Sequence, residues 1–101
     1  MKYYLDIARV DSYGKFKPYA GKTEFTSLQK AIAKVIQLIE TKPIGIMFSN
    51  KIYQGNGSAK ELRGTVFKYG KRYQFNDYSI DSDYSHKEVY KNGSVKKLWM
   101  N

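Results

Sequence analysis

The sequence predicts an α+β fold: one amphipathic helix packed on a mostly antiparallel β-sheet, a single small domain over residues 1–101. Three observations predict it. "TSLQKAIAKVIQLIETKP" repeats apolar residues at helical spacing. Several segments around it alternate apolar and polar residues with the period of a half-buried strand. Two pairs of these segments meet at tight-turn residues, Gly70 and Asn92-Gly93. A helix with one apolar stripe needs one sheet face as its partner, which leaves the other sheet face to solvent or a ligand.

The elements follow in order. In "KYYLDIARV", Tyr3, Leu5 and Ile7 share one side and Tyr4, Asp6 and Ala8 the other, as in a strand with one buried face. "DSYGKFKPYAG" is turn-rich and carries Pro18, so a hairpin or irregular loop follows. The helix is expected over residues 27 to about 41. Thr26 and Gln29 have the spacing of a capping box, Leu28, Ala31, Ile32, Val35, Ile36 and Ile39 form the stripe with Leu38 widening it, and Pro43 turns Lys42 out of helical geometry. Ile44, Ile46 and Phe48 read as a buried strand, Ser49-Asn50-Lys51 as a turn and "GNGSAKE" as a loop. "LRGTVF" and "KRYQF" form a hairpin over Tyr69-Gly70 or Gly70-Lys71. "HKEVYKNGSVKKLWM" forms another, with Glu88 opposite Lys97, Tyr90 opposite Val95 and His86 opposite Trp99.

Composition narrows the functional classes. The 101 residues include no cysteine, which removes disulfides and thiolate metal sites. The N-terminus lacks the apolar run of a signal peptide, and no window approaches the ~20 apolar residues of a membrane span. A cytoplasmic protein without a membrane partner is therefore expected. The formal charge is +9, carried mostly by lysine, with Arg9, Arg63 and Arg72 the three arginines. Residues 44–75 alone hold +5, whereas residues 76–101 are neutral. Such a charge distribution attracts polyanions and speeds encounter with them.

The most informative stretch is "VFKYGKRYQF", with four rings and three cations in ten residues. Period-two geometry puts Val66, Tyr73 and Phe75, with Leu62, on a core face, and Arg63, Thr65, Phe67, Arg72 and Gln74 on the other. Rings on an open sheet stack on bases while cations hold phosphates. The candidate partner-binding residues are thus Arg63, Phe67, Lys68, Tyr69, Lys71, Arg72, Gln74, Lys96 and Lys97. "RGTVFKY" opens with a basic residue and Gly like the RNA-recognition octapeptide. Thr65 and Val66, however, stand where a ring and a small residue belong, so the chain is not placed in that family.

Catalytic and metal motifs are weak. His86 is the single histidine, and it sits on a strand segment with no nucleophile or ligand partner in view. Asp77, Asp81 and Asp83 lack the glycine and the bidentate acid of a calcium loop. "GNGSAKE" lacks phosphate-loop spacing. No enzyme, cofactor or metal is expected. The expected function is a non-catalytic binding protein that engages nucleic acid or a nucleoprotein complex. The alternative is a small phage or mobile-element accessory protein, anti-CRISPR-like in size and style, that inhibits a host defence enzyme by binding a host protein.

Overall fold

The computed structural model describes residues 1–56, 58–80 and 85–100. Eight strands and one helix follow in chain order among them: β1 (Lys2–Val10), β2 (Phe16–Pro18), β3 (Glu24–Phe25), α1 (Leu28–Thr41), β4 (Ile46–Asn56), β5 (Ala59–Tyr69), β6 (Arg72–Asp77), β7 (His86–Val89) and β8 (Val95–Leu98). The strands form one antiparallel sheet in the order β2-β1-β4-β5-β6-β7-β8, with β3 pairing on β1. The expected α+β fold is the one observed: one helix on an open, mostly antiparallel sheet.

The helix starts one residue later than its sequence signal. Ser27, in extended geometry, accepts from the Lys30 amide and is the N-cap, while the Gln29 side chain reaches the Asn92 carbonyl instead of closing a box with Thr26. At the other end Lys42 takes a left-handed conformation (φ 42°) and its amide closes on Leu38, just before Pro43. Ala31, Ile32, Val35, Ile36 and Leu38 are buried along the predicted stripe. All but Leu38 join Leu5, Phe25, Ile52, Val66, Tyr73, Phe75 and Val89 in one core cluster. Each large aliphatic or aromatic side chain removed from water there stabilises the fold by about 1.5–3 kcal/mol.

Register fixes which residues share a face. Leu5, Ile52, Gly64 and Asp77 make one row across the strands; Val66, Phe75, Lys87 and Leu98 a second; Lys68, Tyr73, Val89 and Val95 a third. These rows face α1. The alternate rows face away from it: Tyr4, Tyr53 and Leu62; Lys51, Thr65, Asn76 and His86; Phe67, Gln74, Glu88 and Lys97; Tyr69 and Arg72. The smallest dimension is 18 Å, the depth of two layers.

Four local expectations are corrected. β4 runs through Ser49-Asn50-Lys51, where the sequence suggested a turn; the irregularity there shifts the β1 register but does not end the strand. β5 begins at Ala59, inside the expected "GNGSAKE" loop, where Ala59 pairs with Asn56. Ile44, expected in a buried strand, lies in a turn and is fully exposed. In the last hairpin Glu88 does oppose Lys97 and the Trp99 amide does reach the His86 carbonyl, but a register shift sets Val95 opposite Val89 rather than Tyr90. The tip of that hairpin explains Gly93: it has φ 86° and lies so close to α1 that a Cβ there would overlap the Gln29 carbonyl.

Candidate functional site

The β5–β6 hairpin turns over Gly70-Lys71, with Tyr69 opposite Arg72 and Gly70 at φ 62°. The face of this hairpin that points away from α1 carries Thr65, Phe67, Arg72 and Gln74, as predicted, and Tyr69 beside them. Phe67 and Tyr69 rings lie 6.3 Å apart, and Tyr69 and Trp99 rings 5.1 Å apart. The Arg72 guanidinium stacks over the Trp99 ring at 3.9 Å, an arrangement that contributes about 0.5–2 kcal/mol. Three rings and a guanidinium therefore form one continuous track. Tyr69 is half exposed, so a flat ligand can reach it.

The charges of this track are partly neutralised by the chain itself. Glu88, buried between β6 and β8 side chains, accepts from Arg72 Nη2 at 2.9 Å and Nε at 3.1 Å, and Lys96 Nζ lies 3.3 Å from its other oxygen. Hydrogen bonding to Arg72 is the main reason its carboxyl is held below the ordinary value. Arg72 also donates to the Met100 carbonyl at 2.8 Å. Two cations thus share one carboxylate, which leaves a net positive charge beside the rings. Gln74 is buried within the same row, so it underlies the surface rather than projecting from it.

Arg63 is a correction. Ile52 pairs with Gly64 but Tyr53 pairs with Leu62, so Arg63 is an extra residue in β5. The bulge reverses the faces: Leu62 joins the outer row and is exposed, and Arg63 turns to the helix side, where it lines a cavity with Leu28 and Ile32. There it makes a bidentate pair with Asp77 (2.9 and 3.0 Å) and donates to Gln54 Oε1 at 2.9 Å. Asp77 also accepts from the Ser79 amide and hydroxyl. Burial works against the Asp77 charge, but these bonds outweigh it and bring its pKa down to about 2. Arg63, raised in turn chiefly by its bonds to Asp77, is a structural cation.

The remaining nominated residues divide. Lys97 belongs to the outer row of Glu88 on the edge strand β8. Lys68 lies on the helix side, opposite Tyr73, and Lys71 occupies the turn between the two faces. Sequence reasoning missed Tyr4, Tyr53, Lys51, Lys60 and Trp99. The Lys60 ammonium sits 4.1 Å over the Tyr4 ring, and Lys51 is in the row of Thr65. The signal for Tyr4 was present in the alternation of β1, and that for Trp99 in the Glu88–Lys97 register. Lys51 falls where the sequence suggested a turn, and the face of Lys60 depends on the bulge, so nothing local marks either.

The described residues contain no group of three or more His, Cys, Asp or Glu side chains that could hold a metal. His86 is exposed in the outer row beside Asn76. Asp81 and Asp83, the rest of the acidic segment, lie outside the described residues. No helix among the described residues is long and apolar enough to cross a membrane. No protein-family model, no curated protein and no solved structure matches the chain.

Proposed function

We propose that the protein is a non-catalytic cytoplasmic binding protein that engages a polyanion, single-stranded nucleic acid alone or in a nucleoprotein complex, through the sheet face turned away from α1. The observation that carries this reading is the ring track Phe67–Tyr69–Trp99 with Arg72 stacked on its end and Lys96 beside it. Bases stack on exposed rings for about 1–3 kcal/mol each, with little regard for sequence. Lys51 and Lys60, further along the same face, and the overall charge of +9 supply phosphate contacts.

Trp99 is the one tryptophan, so its fluorescence reports on the track directly. Titration with 12-nucleotide oligothymidylate at about 50 mM salt is expected to quench it, with affinity falling steeply at higher salt. Tyr69→Ala is expected to weaken binding about tenfold or more and, because Tyr69 is half exposed, to leave stability nearly unchanged. Phe67→Ala is expected to harm binding more than stability. The reading fails if the wild type shows no saturable binding at micromolar concentration, or if Tyr69→Ala binds as well as the wild type.

The second reading, a host-protein inhibitor, draws on the edge strand β8, where Val95 and Leu98 are exposed beside Lys96 and Lys97. Exposed apolar residues on a strand edge offer a protein partner both backbone and side-chain contacts. Absence of oligonucleotide binding together with retention of one host protein, lost on Leu98→Lys, would favour it.

A further inference from the structure

A second cationic cluster lies on the other side of the same hairpin. At the carboxyl end of α1, a cavity of about 380 Å³ is lined by Glu40, Lys68, Gly70, Lys71, Tyr73 and Lys91. Lys91 Nζ is 3.0 Å from the Glu40 carboxylate. That carboxylate and the carbonyl end of the helix answer the charge of Lys91. Lys68 and Lys71 make no close ion pair among the described residues; Lys68 lies 5.9 Å from the Tyr73 ring and acts on the Glu40 carboxylate from a distance. The lining therefore holds three ammonium groups against one carboxylate, an excess of positive charge around one opening.

Tyr73 adds an independent sign. It is 3% exposed, and its Oη is buried near the Glu40 carboxylate without meeting it at good hydrogen-bond geometry. A buried hydroxyl without a well-made bond keeps donor capacity for a further acceptor. Burial, then the neighbouring Glu40 carboxylate, pushes its pKa up to about 12, so the hydroxyl remains a donor at neutral pH. An excess of ammonium groups over carboxylates and a protonated hydroxyl lining one cavity match the needs of a tetrahedral oxyanion.

We propose that this cavity is a phosphate-binding site, filled by Lys68, Lys71 and the Tyr73 hydroxyl around one phosphate group. Phosphate could arrive free or within a nucleic-acid backbone. In the second case, which rests on the function proposed above, the two sites are continuous. Tyr69 and Arg72 flank the Gly70-Lys71 turn on the outer face and Lys68 and Tyr73 flank it on the inner face, so a strand stacked on Tyr69 reaches the cavity by crossing the turn.

The test uses the full-length protein, ¹⁵N-labelled, titrated first with inorganic phosphate and then with 12-nucleotide oligothymidylate. The comparison variant is Lys68→Ala/Lys71→Ala, whose substituted side chains are exposed and leave the core intact. Millimolar phosphate is expected to shift the Gly70, Lys71 and Lys91 amides in the wild type and not in the variant. If the backbone supplies the phosphate, the slope of log K against log salt for the oligonucleotide drops by about 0.7 in the variant, one contact's share. The proposal is overturned if neither ligand moves these amides, or if the variant responds like the wild type. Shifts with phosphate and no oligonucleotide binding anywhere would uphold the cavity, with free phosphate as its ligand, and remove the outer-face reading. Trp99 quenching by oligonucleotide with an unmoved cavity and an unchanged slope in the variant would do the reverse.

Discussion

Replacing Arg63 with methionine separates its structural role from the binding role its sequence position suggested. The Arg63 and Asp77 side chains are 18% and 4% exposed. Arg63→Met removes two bonds to Asp77 and one to Gln54, and leaves a buried carboxylate without its cation. Removing one partner of a buried pair costs about 3–5 kcal/mol. Ser79 continues to donate two bonds to Asp77, which places the expected loss near the lower end, about 3 kcal/mol. With a urea m-value of about 1.5 kcal/mol/M, the unfolding midpoint falls by about 2 M at pH 7. The pH dependence follows from the same pair. The Asp77 pKa is depressed from its ordinary 3.8 to about 2, so its contribution is complete above pH 4 and disappears as pH falls through the 4-to-2 window. That contribution is about 2 kcal/mol in the wild type and shrinks in Arg63→Met. Arg63→Met/Asp77→Asn is expected to regain part of the loss, since no unpaired charge remains. Oligonucleotide affinity should be retained, because Arg63 is on the helix side. Urea melts at pH 7 and pH 3 decide the matter: a loss under 1 kcal/mol at pH 7, or an acid-range decline equal to that of the wild type, refutes the assignment.

Further substitutions probe other parts of the fold. Gly93→Ala forces a Cβ into the Gln29 carbonyl at φ 86° and should cost about 2–4 kcal/mol in chemical denaturation, with the β7–β8 tip and α1 displaced from each other. Ser27→Ala should cost about 0.5–1 kcal/mol, given the long 3.4 Å cap bond, whereas Thr26→Ala should be nearly silent in the same melts; equal effects would show that Thr26 shares the cap. Glu88→Gln frees Arg72 and Lys96 from their counter-charge and should tighten oligonucleotide binding several-fold with a steeper salt dependence; weaker binding would mean that Glu88 serves mainly to hold Arg72 in place. The Glu88 carboxyl titrates below its ordinary value, so the stability from this cluster is present at neutral pH and declines on acidification.

Much of the architecture was legible in the residues themselves. The helix stripe, the alternation of β1 and the turn residues at Gly70 and Asn92-Gly93 each carry a local period or backbone demand, and each appears as read. The β5–β6 hairpin was legible only up to its bulge. Val66, Tyr73 and Phe75 face the core as expected, but one inserted residue sends Arg63 inward and Leu62 outward. No local pattern marks that insertion; it is fixed by Ile52 and Tyr53 on the neighbouring strand and by the carboxylate of Asp77. The candidate surface was half legible for a related reason. Phe67, Tyr69 and Arg72 lie close together in sequence, whereas Tyr4, Tyr53, Lys51, Lys60 and Trp99 come together only through strand order. Glu88, the counter-charge of the cluster, looked like an ordinary cross-strand partner of Lys97.

The one-sided placement of α1 divides the sheet's positions by what constrains them. On β5 and β6, Val66, Tyr73 and Phe75 are held by packing in the core, while Phe67 and Tyr69 between them lie outside it, half-buried and exposed respectively. Drift at Phe67 and Tyr69 changes what the molecule grips more than whether it folds, whereas Thr65 and Gln74 in the same outer rows are buried and stay constrained. A lineage could exchange one anionic target for another by altering a few rings and lysines, and an engineer could diversify the same positions as a library on an otherwise constant scaffold.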